Sequence, residues 1–144
     1  MKILVINGPN LGLLGVREPE IYGRTTLKDI EDALLKAAAE YPDCELEFLQ
    51  SNHEGVIIDR LNALLTDKPA DGIVINPAAY THTSIAILDA LKAVNIKTVE
   101  VHISDISKRE EFRRLSYVSL YASKRIIGKG FEGYIEAINY LLEN

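Results

Sequence analysis

The segment Thr98-Val99-Glu100-Val101-His102-Ile103 has the pattern of a β-strand, yet it carries a carboxylate and an imidazole two residues apart. A strand covered on both faces should be apolar, because burying a charge is costly unless it is paired. Strand period two puts Glu100 and His102 on one face near the carboxyl end, where the carboxylate can bias the tautomer and proton affinity of the histidine. An edge strand whose polar face meets water is the less favoured reading. Ser104 follows directly, with two successive backbone N–H groups and a hydroxyl suited to holding a carboxylate, so a small acidic substrate fits.

Three other segments carry chemistry in weaker form. Between Gly8 and Thr25 lies a long polar stretch with Arg17, Tyr22, Arg24 and four glycines, which reads as a lid. Taken singly, Tyr22 would pack the loop and Arg17 would be solvated; together on a mobile loop over a crevice, a functional reading becomes comparable to that one. Asn76-Pro77-Ala78-Ala79-Tyr80-Thr81-His82-Thr83-Ser84 is dense in hydrogen-bonding groups, with Thr81 or Thr83 the expected cap of the following helix. A solitary His82 is more often a surface or capping histidine, and Asp89 more often a solvated charge. Lys108 to Arg114 is usually just a solvated helical face. At helical spacing, however, Arg109 and Arg113 share one side, and that side can face the same crevice. His53 follows a strand and is given no catalytic role.

Several chemistries are disfavoured by what is missing. His82 and His102 sit on separate elements, with no HExxH motif or cysteine pair, so no zinc site is expected. Gly8, Gly12 and Gly15 do not match the dinucleotide pattern, and neither a GxxxxGK[ST] phosphate loop nor a GxSxG elbow is present. What remains is Tyr, Arg, His, Glu and amides. That set suits proton abstraction and acid-assisted elimination without metal, cofactor or covalent intermediate.

The elements that must position these groups are legible as alternating apolar runs and helical patterns, the signature of βαβ units around a parallel sheet. Strands are expected at Lys2 to Asn7, Cys44 to Gln50, Gly72 to Asn76, Lys97 to Ile103 and Lys124 to Gly128. Thr26 and Asp29 form a capping box for a helix whose inner stripe is Leu27, Ile30, Leu34, Ala38 and Tyr41, closed by Pro42. Further helices are expected at Val56 to Leu65, Ile85 to Val94, Lys108 to Leu115 and Phe131 to Leu142. Glu45-Leu46-Glu47-Phe48 alternates like a half-exposed edge, whereas ILVI and GIVI are covered on both faces. The expected fold is therefore α/β and flavodoxin-like: a five-stranded parallel sheet of order 2-1-3-4-5 with helices on both faces. Ligands bind in such folds beyond strands one and three, where the order reverses and where Asn7-Gly8-Pro9-Asn10 and Asn76-Pro77 meet.

With 144 residues and 47% hydrophobic composition, one catalytic domain spanning 1–144 is expected. Sixteen Lys and Arg against 21 Asp and Glu, and no long basic run, argue against a nucleic-acid partner. MKILVINGPN does not read as a signal peptide, and no apolar run reaches membrane-spanning length, so no membrane association and a cytoplasmic location are expected. The lone Cys44 reads as structural.

Five ordered blocks then carry a resemblance over nearly the whole chain: NGPNLGLLGVREPEIYG, FLQSNHEGVIIDRL, INPAAYTHTSIAILDAL, VEVHISDISKREEFRRLSYVS and GKGFEGYIEAI. The sequence resembles the type II 3-dehydroquinate dehydratases, hydro-lyases of the shikimate pathway that convert 3-dehydroquinate to 3-dehydroshikimate by stepwise anti elimination through an enolate. The resemblance implies that Tyr22 is the base and that Arg17 stabilises its phenolate. It also implies that Asn10 holds a water against the enolate and that His102, supported by Glu100, protonates the departing hydroxyl. Asn76, His82, Arg113 and the Ile103-Ser104 turn would bind substrate, and Arg109 is counted with them on its helical spacing with Arg113. Asp89 would reach a neighbouring subunit's site, within trimers assembled into dodecamers. The chain departs from the pattern at Leu115 (histidine expected), Leu120 (proline), Lys124-Arg125 (small residues) and Gly12 (asparagine). These changes bear on subunit packing and the lid, and Asp105, where asparagine is usual, on anion binding. Two other functions compete: a noncatalytic flavodoxin-like binding or receiver module, and a related hydro-lyase acting on another hydroxy acid. The asparagines after the first strand, in place of an acidic cluster, disfavour a receiver.

Overall fold

The computed structural model describes residues 1–143; the side chains of Ile21 and Tyr22 lie outside the described part. Five strands, β1 (Lys2–Asn7), β2 (Glu45–Gln50), β3 (Gly72–Asn76), β4 (Thr98–His102) and β5 (Lys124–Ile127), form one sheet. Its order is β2-β1-β3-β4-β5, with every neighbouring pair parallel, as expected. The helices are α1 (Pro19–Tyr22), α2 (Leu27–Ala38), α3 (Glu54–Asn62), α4 (Ile85–Val94) and α5 (Glu132–Glu143).

Strand periodicity distributes the core between two layers. Ile3, Val5, Val74, Val99 and Val101 pack with Ile30 and Leu34 of α2 and Tyr134, Ile138 and Leu141 of α5. Leu4, Ile6, Ile73 and Ile75 pack on the opposite face with Ile57 and Leu61 of α3 and Ile87 and Leu91 of α4. Each fully buried Ile or Leu contributes about 1.5–3 kcal/mol. Covered from both sides, β3 and β4 are buried along their whole length. The edge strand β2 is only half-buried, and its alternating sequence reflects that. Cys44 just precedes β2 and packs partly buried against the first layer, consistent with a structural role.

Local chemistry sets the helix ends. At α2 the capping box forms in both directions, with the Asp29 N–H donating to Thr26 Oγ1 at 3.1 Å and the Thr26 N–H to Asp29 Oδ2 at 3.0 Å. The helix stops at Ala38, so Tyr41 lies in the turn beyond it rather than on its stripe. The cap of α4 is Ser84, whose Oγ accepts from the Ile87 N–H at 2.9 Å, and not Thr81 or Thr83. Thr81 lies inside a 3-10 turn and Thr83 precedes the cap, so neither reaches the free N–H groups of the first turn.

The expected helix from Lys108 to Leu115 is absent. Two 3-10 turns, Ile106–Lys108 and Glu111–Arg113, stand there instead. Asp105 caps the first of them, accepting from the Ser107 N–H, and the chain is extended at Arg109 and Glu110, which interrupts any continuous helix.

Candidate active site

A cavity of about 220 Å³ opens beyond the carboxyl ends of β1, β3 and β4, at the reversal point of the strand order. Nine of the residues singled out from sequence line it: Asn10, Arg17, Asn76, His82, His102, Ile103, Ser104, Arg109 and Arg113. Among the described residues, three arginines and no Asp or Glu line it, a charge pattern that favours a small anion. Arg109 and Arg113 reach it although no helix joins them.

Glu100 stands behind His102. Neither is accessible to more than 4%, and His102 Nε2 meets Glu100 Oε2 at 2.6 Å. The histidine therefore keeps Nδ1 for a ligand. Ser116 Oγ donates to Glu100 at 2.8 Å and Ser119 Oγ at 2.9 Å, adding two neutral donors to a fully buried carboxylate. Burial opposes ionisation of Glu100, but the hydrogen bond and charge of His102 and the two serine hydroxyls outweigh it. The carboxyl is held below its ordinary 4.5.

His82 has the opposite setting. Its Nδ1 meets the Leu115 carbonyl at 2.7 Å, so Nδ1 carries the proton and Nε2 is left as an acceptor. Burial depresses its proton affinity, only partly offset by the Leu115 bond, and nearby His102, Arg113 and Arg109 depress it further. Both shifts have the same sign in linkage. The unfolded chain binds more protons than the folded one, so the stability from Glu100 and from neutral His82 is present at higher pH and lost as pH falls through their folded values.

The floor is rigid. Tyr134, with no exposed surface, donates to Asn7 Oδ1 at 2.6 Å and accepts from Asn76 Nδ2 at 2.9 Å. Asn76 Oδ1 accepts the Ala78 N–H at 3.1 Å, which fixes the amide orientation and stabilises Ala78 at φ 51, a left-handed conformation costing about 1–2 kcal/mol. Burial drives the Tyr134 phenol far above its usual range, so it serves as a neutral hydroxyl. Gly8 is required where the two asparagine loops touch: its N–H donates to the Asn76 carbonyl at 2.8 Å, and a Cβ there would lie 2.4 Å from the Pro77 oxygen.

The profile of the dehydroquinase class II family matches residues 1–142. The chain belongs to that family. This class II dehydroquinase is 52% identical over 143 residues to the 3-dehydroquinate dehydratase of Clostridium botulinum strain Loch Maree, covering 99% of this chain and 95% of the relative. It is 50% identical over 139 residues to the catabolic 3-dehydroquinase of Pyricularia oryzae, covering 96% and 88%. The crystal structure of type II dehydroquinase from Butyrivibrio crossotus superposes with a TM-score of 0.94 at 48% identity, covering 99% of this chain and 97% of the other.

Not every expected residue reaches the dehydroquinase cavity. Asp89 is exposed on α4 and does not line it. The side chain of Tyr22 lies outside the described residues. Asp105 does not line the cavity either; its carboxylate accepts from the N–H and hydroxyl of Ser107 at 3.0 and 2.5 Å. Leu115, exposed, contributes its backbone carbonyl rather than its side chain.

Sequence reasoning missed the supports. Asn10, at φ 69, is held by its N–H donating to Asn52 Oδ1 at 3.0 Å, while Gln50 Nε2 donates to the Gly8 carbonyl at 3.1 Å. The Tyr80 hydroxyl then ties the Asn52 carbonyl at 2.7 Å. Asn52 lies in the quoted block FLQSNHEGVIIDRL, but nothing in its spacing connects it to Asn10, 42 residues away. Ser116 and Ser119 were equally silent, because only the fold brings them under β4.

Proposed function

We propose that this class II dehydroquinase is a single catalytic domain that dehydrates 3-dehydroquinate to 3-dehydroshikimate, a step of the shikimate pathway, by anti elimination through an enolate. The observation that carries the reading is the buried Glu100–His102 pair at the wall of a small cavity lined by Arg17, Arg109 and Arg113. A hydroxy-keto acid meets that geometry at each end: its carboxylate suits the Ile103-Ser104 turn and Arg113, its hydroxyls suit Asn76 and the acceptor nitrogen of His82, and Arg109 adds to the binding field.

In this reading Tyr22 removes the proton next to the ketone, assisted by Arg17. The C–H electron pair moves toward the ketone oxygen, and a water on Asn10 supports the enolate. The enolate then collapses to form the ring double bond, and the C–O bond breaks as His102 delivers its proton, so that the hydroxyl leaves as water. Glu100 keeps the imidazole oriented and compensates its charge. Every step uses side-chain acids and bases. Among the described residues, no group of three or more His, Cys, Asp or Glu is placed to hold a metal.

Mixing the protein with 3-dehydroquinate should raise ultraviolet absorbance, because the product is a conjugated enone. The rise should persist with chelator and with borohydride present. A related hydro-lyase or a noncatalytic binding module would give no such signal with this substrate, and borohydride inactivation that needs substrate would point to an imine instead.

The assembly belongs to the same proposal: trimers built into a dodecamer, with Asp89 entering the neighbouring subunit's site. The exposed position of Asp89 on α4, outside its own cavity, is compatible with that role. Mass measurement in solution should give a multiple of three subunits, and a fully active monomer would remove the role given to Asp89. A cytoplasmic location completes the reading; no helix among the described residues is long and apolar enough to cross a membrane.

A further inference from the structure

We propose that Arg125 is a positioning residue for catalysis, setting through Glu100 the pH range over which His102 can deliver its proton. The inference rests on the assignment of His102 as the acid of the elimination. Arg125 lies on the edge strand β5, directly in register with Glu100 on β4. Its Nε stands 3.4 Å from Glu100 Oε2, the oxygen that also receives His102 Nε2 at 2.6 Å. One carboxylate oxygen is thus shared between a titratable imidazole and a permanently charged guanidinium. The mechanism as drawn needs only the imidazole.

The consequence follows from treating Glu100 and His102 as one titrating unit. With the carboxyl ionised and the imidazole protonated, the pair is neutral; losing a proton makes it negative, and gaining one makes it positive. A fixed cation beside it favours the more negative form at each step, so both steps occur at lower pH than they would without it. Guanidinium cannot relieve this by releasing its own proton.

Other charged groups face the same unit. His82 comes from the turn after β3, Arg109 and Arg113 from the segment after β4, and Arg17 from the lid, all lining the cavity. Asp105, which also feels the charge of Arg125, lies on the loop leaving β4. Ser116 and Ser119, beneath Glu100, bring hydroxyls and no charge. Apart from His102 itself, Arg125 is the one cationic side chain in ion-pair distance of Glu100 among the described residues. It therefore acts on the pair from behind, away from the cavity, and its removal should leave the ligand contacts in place.

The side chain of Arg125 is one-third exposed, so solvent weakens its field. Its removal should move both limbs of the pH profile upward by roughly half to one pH unit. The test uses the full-length protein with Arg125→Gln, Arg125→Met and Arg125→Lys. Two measurements are made: kcat/KM for 3-dehydroquinate against pH, and histidine ring signals by NMR against pH without substrate. The chain has only three histidines, so His102 can be assigned by single substitution of His53 and His82.

The expected result is an upward displacement in Gln and Met alike, in both measurements, with the Lys variant restored close to the original curve. A histidine titration that superimposes on the original in Arg125→Gln and Arg125→Met overturns the inference, even where kcat falls, since loss without displacement marks a structural role. Equal displacement in the Lys variant overturns it too, because charge would then not be the cause. Absence of turnover in the unsubstituted protein would instead strike at the functional reading, while the NMR titration would still decide whether Arg125 acts on the pair.

Discussion

His102→Asn is expected to lower kcat by about a hundredfold to ten-thousandfold, the usual cost of losing a general acid. The asparagine amide can still donate toward Glu100, and the volume change at a site only 4% exposed is modest, so the fold should survive. What is lost is a proton that can be handed to the departing hydroxyl. His102→Ala should add a stability penalty of about 3–5 kcal/mol, because it strips a fully buried carboxylate of its principal partner. Ser116, Ser119 and Arg125 would remain, which limits that loss. Steady-state kinetics together with urea unfolding separate the two effects. If His102→Asn turned over at a near-normal rate, His102 would not be the acid, and His82 would be the group to test next.

Tyr22→Phe should nearly abolish turnover while changing substrate affinity by only a modest factor. A tyrosine hydroxyl ordinarily titrates at about 10, so at neutral pH only roughly one molecule in a thousand is phenolate without help. A neighbouring cation is needed. Arg17 is five residues earlier on the same loop, lines the cavity and retains its charge at any working pH. Closing that loop and excluding water would strengthen its effect on the phenolate. Phenylalanine keeps the ring but removes the proposed base, whereas Asn76, His82, Ser104 and Arg113, the cavity-lining groups proposed to hold the ground state, are untouched. A fall in kcat of about a hundredfold to ten-thousandfold with a nearly constant dissociation constant is therefore expected. Arg17→Ala should also depress turnover, but with a steeper recovery as pH rises. Near-normal turnover by Tyr22→Phe would mean that another group takes the proton.

Much of this was written in local pattern. Continuous apolar runs in β1 and β3 and the alternation in β2 show which of these strands are covered and which lies at an edge, a pattern that fits the observed sheet order. Glu100 and His102 were legible because two ionisable residues at strand spacing contradict a covered strand unless they serve each other, and they do so at 2.6 Å. The Thr26 capping box was equally local, since both partners lie within one turn. The wider set of site residues came from the resemblance rather than from spacing, and the fold gathers most of it in one cavity.

Tertiary structure decided whatever depends on partners distant in sequence. The segment around Lys108 to Leu115 has helical spacing, but its backbone is recruited elsewhere: Asp105 caps a short turn, and the Leu115 carbonyl is taken by His82. Helix propensity alone is too weak to resist such contacts. The orientation of Asn76 depends on Tyr134, 58 residues later, and the placement of Asn10 on Asn52. Arg125 showed itself in sequence only as a departure from a small-residue pattern, and acquires meaning because β5 pairs in register with β4. Periodicity records which face a residue turns to its own element's neighbours; it holds no information about which distant polar group will be waiting there, because that is set when the sheet assembles.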